Sequence, residues 1–434
     1  MHSEFYNLDA ETSVLGSILL KPDYMDHTKL HANDFYYASH KVIFEGMARL
    51  HEEGTPIDFV TLSQELGDSL VEVGGVSYVS KLAESVPSVS NFKHYEEIIK
   101  DLSLKRKMLE TLQAKFREGR YSEDNEQFIS SVLDSVQSLA DETKPERTFR
   151  PMSDVLVDHE DKLAERQQMK GLTGVKTAST VMDKLTGGYQ KQDLIIVAAR
   201  PSVGKTAYML NDAIAAAKSG TVDAVGIISL EMPDVPVSER VISAVGHIDS
   251  FKIRTGNLDD QDWGKYTMAR QIVADMPIHI DDSPSATISQ IASKVKAFKK
   301  KHGRIIVFID YLQLIHGGKN FSSKTEEVGY ISGKLKEIAR ENDCPIVVIS
   351  SLSRSVEQRQ DKRPMMSDLR ESGKIEYDAD MVIFLYRDDY YNTDSDKKNI
   401  VEVNVAKMRN GTTGTIEMVY LKNFNKFVDY ERSA

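Results

Sequence analysis

The sequence predicts two kinds of domain in one chain: an all-α N-terminal region, and an α/β C-terminal region built on a mainly parallel sheet. Three observations carry this. Up to about residue 140 the apolar residues recur at helical spacing almost throughout. From about Gly171 onward, short continuous apolar runs alternate with helical patterns, as buried strands and their crossover helices do. Between the two, Asp141 to Pro151 reads DETKPERTFRP, where charge and two prolines interrupt the helical period.

Composition bounds the rest. A chain of 434 residues is too long for a single core. A net charge of −11 argues against a surface basic all over, so any nucleic-acid contact must lie in a local patch, groove or channel. Cys344, the single cysteine, cannot form an intrachain disulfide and fits a reducing compartment. No run approaches the apolar length of a membrane span, and no basic end leads into an apolar core. A soluble, cytoplasmic protein without a membrane partner is expected.

In residues 1–140, Asp9 is the expected cap of a helix carrying Val14, Leu15, Ile18 and Leu19 on one stripe. Ser39 is the expected cap of the next, lined by Val42, Ile43, Met47 and Leu50 and ended by Gly54. Patterns from about Asn91 to Gly119 and from Glu123 to Ala140 form a pair of long helices, read as an antiparallel hairpin. His27, His31, His40 and His51 are scattered and read as surface or core residues rather than metal ligands. This region is expected to be a scaffold or docking domain. Residues 141–172 form a linker whose helix, Ser153 to Met169, has only Val155, Leu156 and Leu163 as apolar positions. So narrow a face docks on another surface, such as a neighbouring subunit's.

Residues 173–434 supply candidate strands at Leu194 to Ala199, Val225 to Leu230, Ile278 to Asp281, Ile305 to Ile309, Ile346 to Ser350, Met381 to Tyr386, Ile400 to Ala406 and Ile416 to Tyr420. Ligands on such sheets sit beyond the C-terminal ends of the strands, and every motif below is expected there. The basic run Lys294 to Lys301 is expected to coat a helix's outer face.

The first strand breaks at a turn and resumes as a helix. Ala199, Arg200, Pro201, Ser202, Val203, Gly204, Lys205 and Thr206 match the phosphate-binding loop, with Ala in place of the usual first Gly. That spacing lets successive backbone N–H groups wrap phosphates at a helix N-terminus. Lys205 is expected to reach the β and γ phosphates and Thr206 to ligate Mg²⁺, making ATP with Mg²⁺ the expected ligands. Asp310 ends the apolar run IIVFI, so it can hold Mg²⁺ opposite Thr206. Glu231 follows VGIISL and is placed to polarise a water for attack on the γ-phosphate, or alternatively to serve as an ion-pair partner or cap.

The order of ARPSVGKT, ISLEM, IDYLQLI, SRSVEQRQDKRPMMSDLRESGKIEYDADMVIFLYRDDYY and AKMRNGTTG resembles the replicative hexameric DNA helicases of the DnaB family, bacterial or bacteriophage-encoded. The N-terminal stretches AETSVLGSILL, NDFYYASHKVIFEGM, GTPIDFVTL and EVGGVSYVSKLAESVPS resemble the same family, so the likeness spans nearly the whole chain. It implies a RecA-like ATPase and DNA-translocating domain and an N-terminal collar. It further implies a homohexameric ring moving 5′ to 3′ on single-stranded DNA at a fork, and primase and a helicase loader as partners.

Carried onto this sequence, the resemblance makes Glu231 the general base. Arg409 becomes a finger entering the next subunit's ATP site, and Lys407 a second contact to that γ-phosphate in trans. Read alone, the same pair is a basic strand end before an Asn-Gly turn. The resemblance also nominates Arg370, Glu371 and Gly373 for the loop that holds single-stranded DNA. Arg370 suits a phosphate and Gly373 allows backbone approach, whereas Glu371 can act only through its backbone or by positioning a neighbour. Arg354, Arg359, Lys362 and Arg363 add local positive charge. Two positions depart from the family: Ser351 stands where a γ-phosphate-sensing Gln is usual, and GTTG around Thr412 and Thr413 lacks the usual Pro. A RecA-like recombinase filament and an ATP-switched loading or primase-recruiting platform are the competing readings.

Overall fold

The computed structural model describes residues 5–86, 88–121, 125–142, 149–168, 171–369, 373–392 and 394–430. It divides into two compact units, Met1–Arg147 and Thr148–Ala434.

The first unit is helical among its described residues, with helices Leu8–Leu20, Ala38–Glu52, Phe59–Leu66, Ser69–Glu72, Gly75–Glu84, Phe92–Gly119 and Asn125–Glu142. The expected stripes are buried: Val14, Leu15 and Ile18 meet Ile43, Met47 and Leu50 in one core. Both caps differ from expectation. The Asn7 side chain accepts from the Ala10 N–H at 2.9 Å while Asp9 lies inside the first turn, and the second helix starts at Ala38, ahead of Ser39. The last two helices pack where they turn, with Lys115 donating to Ser131 Oγ at 3.2 Å. Of the four histidines, His40 is buried, its Nδ1 2.6 Å from Glu11 and its Nε2 2.7 Å from the Tyr78 hydroxyl. Among the described residues no cluster of three or more His, Cys, Asp or Glu is placed to hold a metal.

The second unit contains β1 Leu194–Ala199, β2 Ala224–Ser229, β3 Ile278–Asp281, β4 Ala286–Thr287, β5 Ile305–Asp310, β6 Ile315–His316, β7 Ile346–Ser351, β8 Met381–Tyr386, β9 Ile400–Met408, β10 Gly414–Leu421 and β11 Lys426–Asp429. Nine of them form one sheet in the order β11-β10-β9-β8-β1-β7-β5-β2-β3. From β8 to β3 all neighbours are parallel; β9, β10 and β11 continue it as an antiparallel meander. Central strands are apolar throughout because both faces are covered. Ile195, Val197 and Ala199 pack on the side of helices Lys205–Ser219 and Asp234–Gly246. Leu194, Ile196 and Ala198 pack on the side of Ile288–His302 and Lys324–Glu341.

One placement overturns an expectation. Because β9 runs against β8, its C-terminal end pairs with the start of β8, Val382 opposite Lys407 and Met381 opposite Met408. Lys407 and Arg409 therefore lie at the edge where the parallel strands begin, not at the edge where they end. Lys294 also departs from a purely solvated role, since its ammonium turns back to Asp281 at 2.5 Å. Helix Met152–Gln168 leaves Val155, Leu156 and Leu163 exposed. Among the described residues no helix is long and apolar enough to cross a membrane.

A buried carboxyl ties the segment ahead of β1 to one of the sheet's covering helices. Asp212, on helix Lys205–Ser219, accepts from Tyr189 Oη at 2.6 Å and from the Ala178 N–H at 2.8 Å. Burial pushes its carboxyl up to about 7. The fold therefore favours the protonated acid, a contribution complete below the ordinary carboxylate range and lost as pH rises towards 7. Asn at this position can keep both bonds, accepting from Ala178 and donating to the tyrosine oxygen. Denaturant titrations from pH 5 to 8 should show stability falling in the native protein and a flatter profile in Asp212→Asn; parallel profiles would refute the assignment.

Candidate active site

The turn between β1 and helix Lys205–Ser219 forms the candidate phosphate cradle. Gly204 takes φ 118°, a backbone conformation that favours glycine, and a Cβ there would stand 3.3 Å from the Tyr420 ring and 3.4 Å from the Phe427 ring, so the space is tight as well. Val203 is buried beneath the turn, while Pro201 and Ser202 are exposed, Ser202 at φ 63°. The Lys205 ammonium folds back on the loop, donating to the carbonyls of Ala199 at 2.9 Å and Arg200 at 3.3 Å. Burial lowers its pKa to about 8 against the opposing pull of Asp310 and Glu231. Arg200 contributes backbone to the loop, but its guanidinium points elsewhere, to Glu357 Oε1 at 2.9 Å and the Leu352 carbonyl at 3.0 Å.

Two neighbouring strands bring the acids. Asp310 ends β5 and accepts from Thr206 Oγ1 at 2.8 Å. It is buried, which raises its pKa, while the Thr206 bond and the charges of Lys205 and Arg240 oppose that rise. β2 pairs with β5 so that Ser229 faces Asp310 and the Leu230 N–H donates to the Asp310 carbonyl at 2.8 Å. Glu231 follows at once, exposed, and close enough for its charge to act on both Lys205 and Asp310. Among the described residues its carboxylate accepts no hydrogen bond, which leaves it available to a water. The hydroxyl of Thr206 and the carboxylate of Asp310 are hard oxygen donors converging on the mouth of the cradle, a set that suits Mg²⁺.

Ser351 ends β7 beside Ala199, and its N–H donates to Gln313 Oε1 at 3.3 Å, while Gln313 Nε2 donates to Ser350 Oγ at 3.0 Å. The carboxamide at this strand end thus comes from Gln313, three residues past Asp310. Sequence reasoning passed over it, although a polar residue inside the apolar stretch YLQLI was the available signal.

The residues nominated for DNA divide. Arg354 is exposed and unpaired among the described residues. Arg359 is not free, because its guanidinium forks onto buried Asp368 at 2.8 and 2.7 Å and so braces the loop. Arg363 pairs with Glu402 at 2.7 Å, and Lys362 lies over the Tyr391 ring at 5.1 Å. Gly373 opens helix Gly373–Asp378 with open space around it. Arg370 and Glu371 lie outside the described residues.

At the opposite sheet edge, Arg409 donates to the Tyr377 carbonyl and approaches Asp380 Oδ1 at 3.5 Å, while Lys407 donates to the Glu376 and Tyr377 carbonyls. Burial and the Arg409 charge lower the Lys407 pKa. Asp380 is itself fixed by the Leu194 N–H at 2.9 Å and Lys336 at 2.5 Å. Neighbouring Asp193 is pushed up to about 6 by burial and by the Asp380 charge. Asp380 and Lys336 were missed from sequence: Asp380 stands within the stretch that carries the resemblance but was given no role, and Lys336 stands in no recognisable motif. The Arg409 side chain is 41% exposed, so this cation faces outward from its own fold.

Residues 174–429 match the DnaB-like helicase C terminal domain and residues 3–101 the DnaB-like helicase N terminal domain. The chain is 44% identical to replicative DNA helicase DnaC of Bacillus subtilis and 44% identical to replicative DNA helicase DnaB of Geobacillus stearothermophilus. Each match covers 98% of this chain and 95% of the relative. Among solved structures, a DnaB-like replicative helicase described with its interactions with primase aligns at a TM-score of 0.77 and 35% identity, over 98% of this chain and 100% of that one. A second solved structure, an ATPase domain alone, aligns at 0.62 and 41% identity, over 65% of this chain and 100% of that domain.

The state of Lys205 makes a pH prediction. A polyanion in the cradle favours the ammonium, so above about pH 8 binding must first recruit a proton. Affinity for a triphosphate analogue should hold from pH 7 to 8 and then fall, by up to about tenfold per pH unit. Titration with a fluorescent analogue checks this, and constant affinity to pH 9.5 would contradict it.

Proposed function

The chain belongs to the DnaB family of replicative DNA helicases, and from that premise we propose how its site drives unwinding. It is an ATP-dependent replicative DNA helicase, which sets aside the recombinase and platform readings. The carrying observation is the division of the site. The phosphate cradle, Thr206, Asp310 and Glu231 meet at one sheet edge, while Lys407 and Arg409 stand at the other.

In this reading the backbone N–H groups from Ser202 to Thr206 receive the phosphates of ATP, and Lys205 exchanges its carbonyl partners for phosphate oxygens. Thr206 and Asp310 would hold Mg²⁺, which when bound neutralises charge on the β and γ phosphate oxygens. Glu231 orients a water and accepts its proton as the water oxygen bonds to the γ-phosphorus and the bond to ADP breaks. Arg409 and Lys407 of a neighbouring copy meet the charge that grows on the transferring group. A closed homohexamer satisfies this head-to-tail relation at every interface. Exposed Val155, Leu156 and Leu163 on helix Met152–Gln168 give each copy an apolar face with which to dock on its neighbour. Residues 370–373, with Arg354, form the segment that holds single-stranded DNA, moved 5′ to 3′ as subunits hydrolyse in turn. The N-terminal unit serves as collar and as the docking surface for primase, and a loader places the ring on DNA.

With Mg²⁺ and ATP the purified protein should separate a forked duplex, and Lys205→Ala should abolish both unwinding and hydrolysis. Arg409→Ala should lower turnover about a thousandfold while leaving analogue binding intact. Steady-state phosphate release beside an analogue titration reads both quantities; normal turnover in the Arg409 variant would sink the trans-acting role.

A further inference from the structure

Arg200 belongs to the phosphate loop by position, yet its side chain makes no part of the cradle. Only 13% exposed, it spans to Glu357 Oε1 at 2.9 Å and to the Leu352 carbonyl at 3.0 Å. Its own carbonyl accepts from the Lys205 ammonium at 3.3 Å. One residue therefore touches both the lysine that a triphosphate recruits and the segment that leaves β7.

That segment is a closed, braced loop. Leu352 and Leu369 bridge its neck as an antiparallel pair, and the Ser353 N–H donates to the Asp368 carbonyl at 2.9 Å. Asp368 is buried and holds the Arg359 fork together with the Met365 N–H at 2.8 Å. A loop braced in this way moves as a unit rather than by local bending. It carries exposed Arg354, and the chain runs directly from Leu369 into Arg370.

We propose that the Arg200–Glu357 pair is a positioning link, transmitting the occupancy of the phosphate cradle to the 352–369 loop and so setting the grip on single-stranded DNA. Binding of a triphosphate draws Lys205 off the Arg200 carbonyl; the Arg200 backbone shifts, and its guanidinium carries the shift to Leu352 and Glu357. The link rests on the DNA-segment reading given above. If the pair merely braced the turn, removing it would lower cradle stability and leave the nucleotide dependence of DNA affinity unchanged.

The test uses the full-length protein, a fluorescent single-stranded oligonucleotide and a non-hydrolysable ATP analogue. The ratio of oligonucleotide Kd with and without analogue measures the coupling, and the reciprocal ratio for the analogue must equal it. Glu357→Ala should keep each ligand's affinity alone within about twofold and move the ratio at least about fivefold towards one. Glu357→Gln, which retains the acceptor oxygen, should keep most of the ratio. An unchanged ratio in Glu357→Ala, or loss of affinity for both ligands with the ratio preserved, would overturn the link. Arg370→Ala separates the two levels. If it weakens oligonucleotide binding while Glu357→Ala keeps the ratio, only the link fails; if it leaves oligonucleotide binding untouched, the DNA-segment reading falls and the link with it.

Discussion

The constraint on which the rest depends is the direction of β9. Six parallel strands deliver their C-terminal residues to one edge of the sheet, and the phosphate loop, Asp310 and Glu231 gather there. β9 returns the other way and hands Lys407 and Arg409 to the opposite edge, at the level where β1 begins. The length of β1 separates the two groups, about 17 Å at the usual rise per residue. Arg409 is also directed at the Tyr377 carbonyl and Asp380, further from its own cradle. In the proposed reading, a cation and a cradle so divided serve two active sites, each completed by another copy.

Charge at each edge is held ready by burial. Asp310 and Lys205 are both desolvated at the cradle, the acid raised and the base lowered, and each is relieved by the arrival of the opposite charge. At the far edge, Asp380 receives Leu194, Lys336 and Arg409 together, so the outward guanidinium is anchored within its own fold. Fixed dipoles and charges set in advance are what a transferring phosphoryl group requires, because little of the chemistry is covalent work by the protein.

Much of this was legible in the sequence. The buried strands were found to within a residue or two because both their faces are covered, leaving unbroken apolar runs between turns. The placing of the loop and Thr206 at a strand-to-helix turn was legible from their fixed spacing, and that of Asp310 and Glu231 from the apolar strands they follow. Strand direction was not, since β9 carries the same apolar signature whichever way it runs, and β11 is too short to announce itself. Arg359 looked like a free cation because nothing local reveals that Asp368, nine residues on, is buried and waiting for it. Arg200 misled in the same way: its place in the loop was evident, but its partner 157 residues away was not.

Mixing two inactive variants tests the shared site most directly. Lys205→Ala keeps the outward cations but loses its cradle, and Arg409→Ala keeps the cradle but loses the finger. Roughly a quarter of the contacts in an equal mixture unite an intact cradle with an intact finger. Phosphate release from the mixture should rise clearly above that of either variant alone. A mixture no more active than its components, under conditions where the two are shown to assemble together, would contradict the account.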